Sequence, residues 1–96
     1  PRDDIRERAA VLQQEQSGPI WLMCGRLVHY KGHAVALRAL ASTEGTLVII
    51  GEGPLRESLQ TLAEELNIAQ RVVFVGHVAS DDEVQAWYLA ATALWM

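Results

Sequence analysis

The chain has 96 residues, half of them apolar, and its 8 Lys and Arg against 12 Asp and Glu give a net charge of −4. That length suits one globular domain burying roughly 60 to 65% of its unfolded surface, and an acidic balance without a basic block argues against binding polyanions by bulk charge. One cysteine allows no disulfide framework, the three histidines lack the close spacing of zinc ligands, and no apolar run approaches the roughly 20 residues a bilayer span needs. No secretory leader opens the sequence, which therefore reads as cytoplasmic material.

Residues 3–14 are charged and Gln-rich, with Ile5, Ala9 and Leu12 spaced three to four apart, the pattern of a short amphipathic helix that Ser17-Gly18-Pro19 ends. We take 1–18 as helix and linker and 19–96 as the domain proper. Ile20-Trp21-Leu22-Met23-Cys24 is apolar on successive residues, as expected of a strand buried on both faces of a parallel sheet, with Cys24 a small buried hydrophobe. Runs at 47–50, 72–75 and 93–96 repeat the pattern, separated by helix-period segments. The first crossover helix, roughly 32–42, presents Ala36, Leu37, Leu40 and Ala41 on one face. In the second, Leu55, Leu59, Leu62, Ala63 and Leu66 lie opposite Glu57, Gln60, Glu64 and Glu65, with Pro54 in the first helical position and Asn67 at a left-handed exit. In the third, Ser80 and Glu83 form a capping box, with Ala79 and Val84 as its hydrophobic staple.

Strands alternating with crossover helices predict an α/β fold, a doubly wound parallel sheet of about four strands with right-handed connections and strand order 3-2-1-4. The last run is apolar and lacks Pro or Lys, so its outer edge invites pairing with another chain, and self-association through 93–96 is expected.

Ligands of such sheets bind at the carboxyl ends of the strands, so the strand-to-helix loops carry the chemistry. After the first strand, Gly25-Arg26-Leu27-Val28-His29-Tyr30-Lys31-Gly32 sets a guanidinium at the strand end and an ammonium at the helix start. A forked cation, a mobile point charge and a helix N-terminus with free amides together suit a diphosphate. An ordinary surface pair of salt bridges would use the same spacing. After the second strand, Gly51-Glu52-Gly53-Pro54 lets backbone approach a ligand, or forms a plain tight turn. After the third, Gly76-His77-Val78 leaves room for a flat group. Asp81, Asp82 and Glu83 read as charges that complement a helix N-terminus rather than as ligands.

Taken in register, Gly25-Arg26-Leu27 with Lys31-Gly32, Gly51-Glu52-Gly53-Pro54-Leu55, Arg71-Val72-Val73-Phe74-Val75-Gly76 and Ala90-Ala91-Thr92-Ala93 resemble the C-terminal, donor-binding domain of the GT-B fold retaining glycosyltransferases of group 1, the GT4 family. The resemblance runs from about Ile20 to Met96 and implies a Rossmann-like half of a GT-B fold. It implies that Arg26 and Lys31 hold the donor diphosphate and stabilise the leaving nucleoside diphosphate. It also places the base against backbone near Gly76, His77 and Val78, with Gly25, Gly51 and Gly53 bordering the donor cleft. The donor is then a nucleotide sugar, and no metal or other cofactor is expected, because the cation pair neutralises the diphosphate and no Asp-x-Asp motif appears. The family's paired glutamates, seven residues apart, are expected beyond Met96, and a glycan or lipid-linked acceptor belongs to an N-terminal domain. The chain alone is therefore expected to be inactive. Its parent would be an enzyme of polysaccharide or glycoconjugate biosynthesis, cytoplasmic and touching the inner membrane only through other parts.

Competing readings fit less well. A dinucleotide-binding dehydrogenase needs G-x-G-x-x-G after the first strand, where Arg26 and Leu27 stand, and a phosphate-loop ATPase needs a G-x-x-x-x-G-K-[ST] run that 25–32 does not supply. The runner-up is a non-catalytic nucleotide- or protein-binding module of the same fold.

Overall fold

Four apolar runs become strands β1 (Ile20–Cys24), β2 (Thr46–Ile50), β3 (Val72–Gly76) and β4 (Ala93–Leu94), alternating with helices α1 (Asp3–Glu15), α2 (Tyr30–Ala41), α3 (Arg56–Glu65) and α4 (Asp81–Ala90). The computed structural model describes residues 3–16, 18–28, 30–77 and 80–95. The expectations placed on His29, Val78, Ala79 and Met96 lie outside the described residues. All pairings are parallel and the strand order is β3-β2-β1-β4, the expected doubly wound arrangement.

Side-chain alternation divides the apolar strand residues between two layers. Met23, Leu47 and Ile49 meet Leu37, Leu40, Leu59 and Leu62 of α2 and α3 on one face. Ile20, Leu22, Val48 and Ile50 meet Ile5, Ala9 and Leu12 of α1 and Ala86, Trp87 and Ala90 of α4 on the other. Burial on both faces holds for all five residues of β2, which, like β1, has two sheet neighbours. It does not hold for the edges: Val72 to Val75 are half-buried, and Ala93 and Leu94 are exposed because β4 has a sheet partner on one side only. Trp95 is held by its amide, which donates to the Leu22 carbonyl at 2.8 Å, and by stacking on Trp21 with ring centroids 5.4 Å apart.

The helix ends show where local signals prevailed. Helix α3 stops in a Schellman motif: Asn67 has φ 61°, its amide donates to Glu64, and the Ile68 amide donates to Ala63. Its start differs from expectation, since Pro54 lies in a turn and Leu55 is the cap residue. The Leu55 amide donates instead to the Leu27 carbonyl, so the turn is drawn toward the neighbouring loop before the helix begins. Helix α2 starts at Tyr30 rather than near 32, and Ala41 is exposed while Ala34 takes a core position.

At α4, Ser80 Oγ accepts from the Glu83 amide at 3.3 Å, but the Glu83 carboxylate is engaged by a forked contact from Arg8 on α1 at 3.0 to 3.2 Å. A guanidinium offers the carboxylate two charge-assisted bonds, more than a single amide can. That contact raises the Arg8 pKa, through the hydrogen bond first and the charge second. Next to it, Trp87 is buried with no partner for its Nε1 among the described residues, a loss of about 1 to 3 kcal/mol that burial of the ring must outweigh.

Helix α1 is part of this core through Leu12, which is 1% exposed. Leu12→Ala is expected to cost about 2 to 5 kcal/mol in urea denaturation. A loss within about 0.5 kcal/mol would mark α1 as a loosely attached segment.

Candidate functional site

Backbone contacts knit the three loops at the carboxyl edge into one surface. The Gly25 amide donates to Ile50, Gly51 to Gly76, Leu27 to Glu52 and Leu55 to Leu27, at 2.8 to 3.2 Å. The β2–β3 register slips between Ile49, paired with Phe74, and Ile50, paired with Gly76, so that Val75 bulges. This slip brings the Gly76 carbonyl to the Gly51 amide, and bulges of this kind often adjoin functional sites.

Gly51 has φ 140°, and a Cβ there would stand 1.9 Å from the Gly25 carbonyl oxygen. A Cβ on Gly53 would meet the Leu27 backbone at 2.6 Å. Both glycines thus allow loop to approach loop. Gly25, with φ 134°, is different: nothing lies within 4 Å of the position a Cβ would take, so it faces open space.

That space is a cleft of about 320 Å³ whose lining includes Gly25, Arg26, Gly51, Glu52 and His77 from the loops, and Val84 and Tyr88 from α4. A second cleft of about 420 Å³ adjoins it, sharing Cys24, Gly25, Arg26 and Tyr88 and extending to Gly32, Leu94 and Trp95. Of the residues singled out in sequence, Gly25, Arg26, Gly51 and His77 therefore share one cleft wall. Lys31 is exposed in the first turn of α2, beside Gly32, while Gly53 lies against Leu27 and Gly76 is buried.

Among the described residues, neither Arg26 nor Lys31 takes a hydrogen-bond or ion-pair partner. Glu52, the acid in the cleft lining, is paired with Arg56 at 2.7 Å, and Arg56 also lies 5.6 Å from the Phe74 ring centroid. The first turn of α2 carries no acidic residue, whereas those of α1, α3 and α4 do. The dipole end of α2 is thus left uncompensated. A larger hollow of about 650 Å³ lies at the opposite edge, with Glu15 and Glu44 in its wall. Its Arg71 is spent on the Thr43 and Gly45 carbonyls, so it offers little to an anion.

Two cleft residues escaped the sequence reading. Cys24 is exposed rather than buried, because as the last residue of β1 it extends past the helix layer. Tyr88 lies one turn after Val84, a helical spacing that could have revealed it. Cys24 lies beside Tyr88 in the wall of both clefts, and its polar and electrostatic influence, with partial burial, raises the phenol's pKa.

The profile of the glycosyl transferases group 1 family matches residues 4–96. The chain belongs to that family. It is 35% identical over 88 residues to the GDP-mannose-dependent alpha-(1-6)-phosphatidylinositol monomannoside mannosyltransferase of Mycobacterium tuberculosis, covering 84% of this chain and 23% of the mannosyltransferase. It is 32% identical over 87 residues to the 2-deoxystreptamine glucosyltransferase of Streptomyces kanamyceticus, covering 85% of this chain and 22% of that enzyme. Among solved structures, the lipopolysaccharide outer core galactosyltransferase WaaB superposes with a TM-score of 0.67 at 30% identity, over 81% of this chain and 23% of WaaB. The chain thus spans under a quarter of the length of these relatives. No helix among the described residues is long and apolar enough to cross a membrane.

The two positive-φ glycines should respond differently to a methyl group. Gly25→Ala is expected to cost about 1 to 3 kcal/mol, the strain of its φ alone. Gly51→Ala, which adds a clash with the Gly25 carbonyl, should cost clearly more. Denaturation of both variants checks the order; equal losses would mean that the loops do not depend on that contact.

Proposed function

We propose that the carboxyl-edge cleft binds the diphosphate of a nucleotide-sugar donor, in an enzyme that transfers the sugar with retention as GT4 members do. The observation that carries this reading is the pair of exposed cations, Arg26 and Lys31, flanking a helix N-terminus and unpartnered among the described residues. During transfer, negative charge grows on the oxygen leaving the anomeric carbon. Cations already in place stabilise that charge without reorganising, and removal of one such donor typically costs about 10² to 10³ in rate. Two cations can neutralise a diphosphate, so we assign no metal to the site. His77 and the backbone before it, at the rim farthest from Lys31 along the sheet order, are assigned to the base.

The remaining assignments follow from the family. An N-terminal domain would bring a glycan or lipid-linked acceptor, and the whole enzyme would serve glycoconjugate or polysaccharide assembly in the cytoplasm, at the inner membrane surface. The exposed β4 edge, with Leu94 52% exposed, is assigned to pairing with a second copy of this chain. Light scattering should show association that grows with concentration and is abolished by Leu94→Lys; a monomer at all concentrations would refute it.

Donor binding is tested by titrating the chain with GDP and UDP in excess chelator while following amide chemical shifts. Shifts are expected at Gly25, Arg26, Lys31, Gly51 and His77, and Arg26→Ala or Lys31→Ala should each weaken binding about tenfold, the loss of one charge-assisted contact. Bound nucleotide should also slow alkylation of Cys24, the chain's single cysteine. Shifts confined to the edge near Glu44 and Arg71, or binding indifferent to both cations, would instead favour a non-catalytic module.

A further inference from the structure

Tyr88 stands where the two clefts meet. Its ring is 46% exposed although Trp87, its neighbour on α4, is buried. It lines both clefts together with Cys24, Gly25 and Arg26. On one side the wall continues to Gly51, Glu52 and His77, with Ile50 and Val84 beneath them. On the other it continues to Leu22, Met23, Leu94 and Trp95, with Gly32 and His33 beside them, and so carries the larger apolar groups. Tyr88 is the aromatic side chain common to the two compartments, of which the second is better suited to a flat, partly apolar group.

Taking the diphosphate reading as its basis, we propose that Tyr88 is a specificity-determining residue that directs the donor's glycosyl group into the apolar compartment. The glycosyl carbon is bonded to the terminal phosphate oxygen, so a diphosphate held at Arg26 leaves the sugar within one bond's reach of the shared wall. A pyranose has an apolar C–H face and a rim of hydroxyls. The first suits the face of an aromatic ring, and the second suits a phenol hydroxyl, which both donates and accepts hydrogen bonds. Because the side chain is half exposed, its removal should leave the core intact.

The test compares each nucleotide sugar, UDP-glucose and GDP-mannose, with UDP and GDP on the same chain, by saturation-transfer NMR and by affinity. Glycosyl protons should be enhanced in the unmodified chain and lose that enhancement in Tyr88→Ala. The preference for nucleotide sugar over nucleoside diphosphate should fall about 3- to 10-fold, the effect of one ring contact. Tyr88→Phe should keep most of the enhancement, and Tyr88→Leu, which fills space without a flat face, should lose it. Unchanged glycosyl enhancement in both Tyr88→Ala and Tyr88→Leu, with binding still dependent on Arg26, would overturn the role of Tyr88 alone. Nucleoside diphosphate binding that survives Arg26→Ala unchanged would overturn the phosphate reading on which it rests.

Discussion

Backbone packs on backbone where the second strand's loop crosses the first. A methyl group on Gly51 or Gly53 would intrude on Gly25 or Leu27, and the hydrogen bonds from Leu27 to Glu52 and from Leu55 to Leu27 require that closeness. Three strand ends are thereby levelled into one edge, and the cleft opens along it. Without the contact, Arg26 would ride on an independent loop rather than on a surface shared with Gly51 and His77. The positive φ of Gly25 and Gly51, open to glycine and not to L side chains, lets these loops follow the wholly buried strand β2 beneath them.

Charge follows from that geometry. Glu52, the acid in the cleft wall, is paired with Arg56, while Arg26 and Lys31 keep no side-chain partner among the described residues, in a chain of net charge −4. A local cation pair of this kind matters for recognising a small anion and is invisible to bulk composition. The diphosphate proposed for the cleft would be the use of this cation pair. The same edge carries an apolar cleft toward β4, so charge and apolar surface lie side by side, as most small-molecule sites require.

Much of the fold was legible from periodicity. The stripe Leu55, Leu59, Leu62, Ala63 and Leu66, closed by Asn67, fixed the second crossover helix within two residues, because its apolar spacing and its exit both act locally. The alternation of strands and helices yielded the sheet order, because right-handed crossovers leave few other ways to bury two helix layers. The misplacements share a cause. Pro54 was assigned to the helix by propensity but is drawn into a turn by Leu27, and Glu83 was assigned to a local cap but is taken by Arg8, 75 positions away. Both partners are distant in sequence, and neither leaves a periodic trace.

The site divides along the same line. Residue chemistry in sequence singled out Arg26 and Lys31 as candidates, although type and spacing alone suit an ordinary surface pair equally. It also singled out the glycines at 25, 51 and 53, which mark where side chains are excluded. Only the tertiary structure decided what each glycine excludes side chains for, Gly25 facing open space and Gly51 facing backbone. Only it brought Tyr88 across from α4 to Cys24 and left Cys24 exposed at the end of its strand. The physical reason is range: helix period, turn chemistry and strand alternation act over a few residues, whereas a cleft wall is made by side chains from four segments whose juxtaposition depends on how the layers pack.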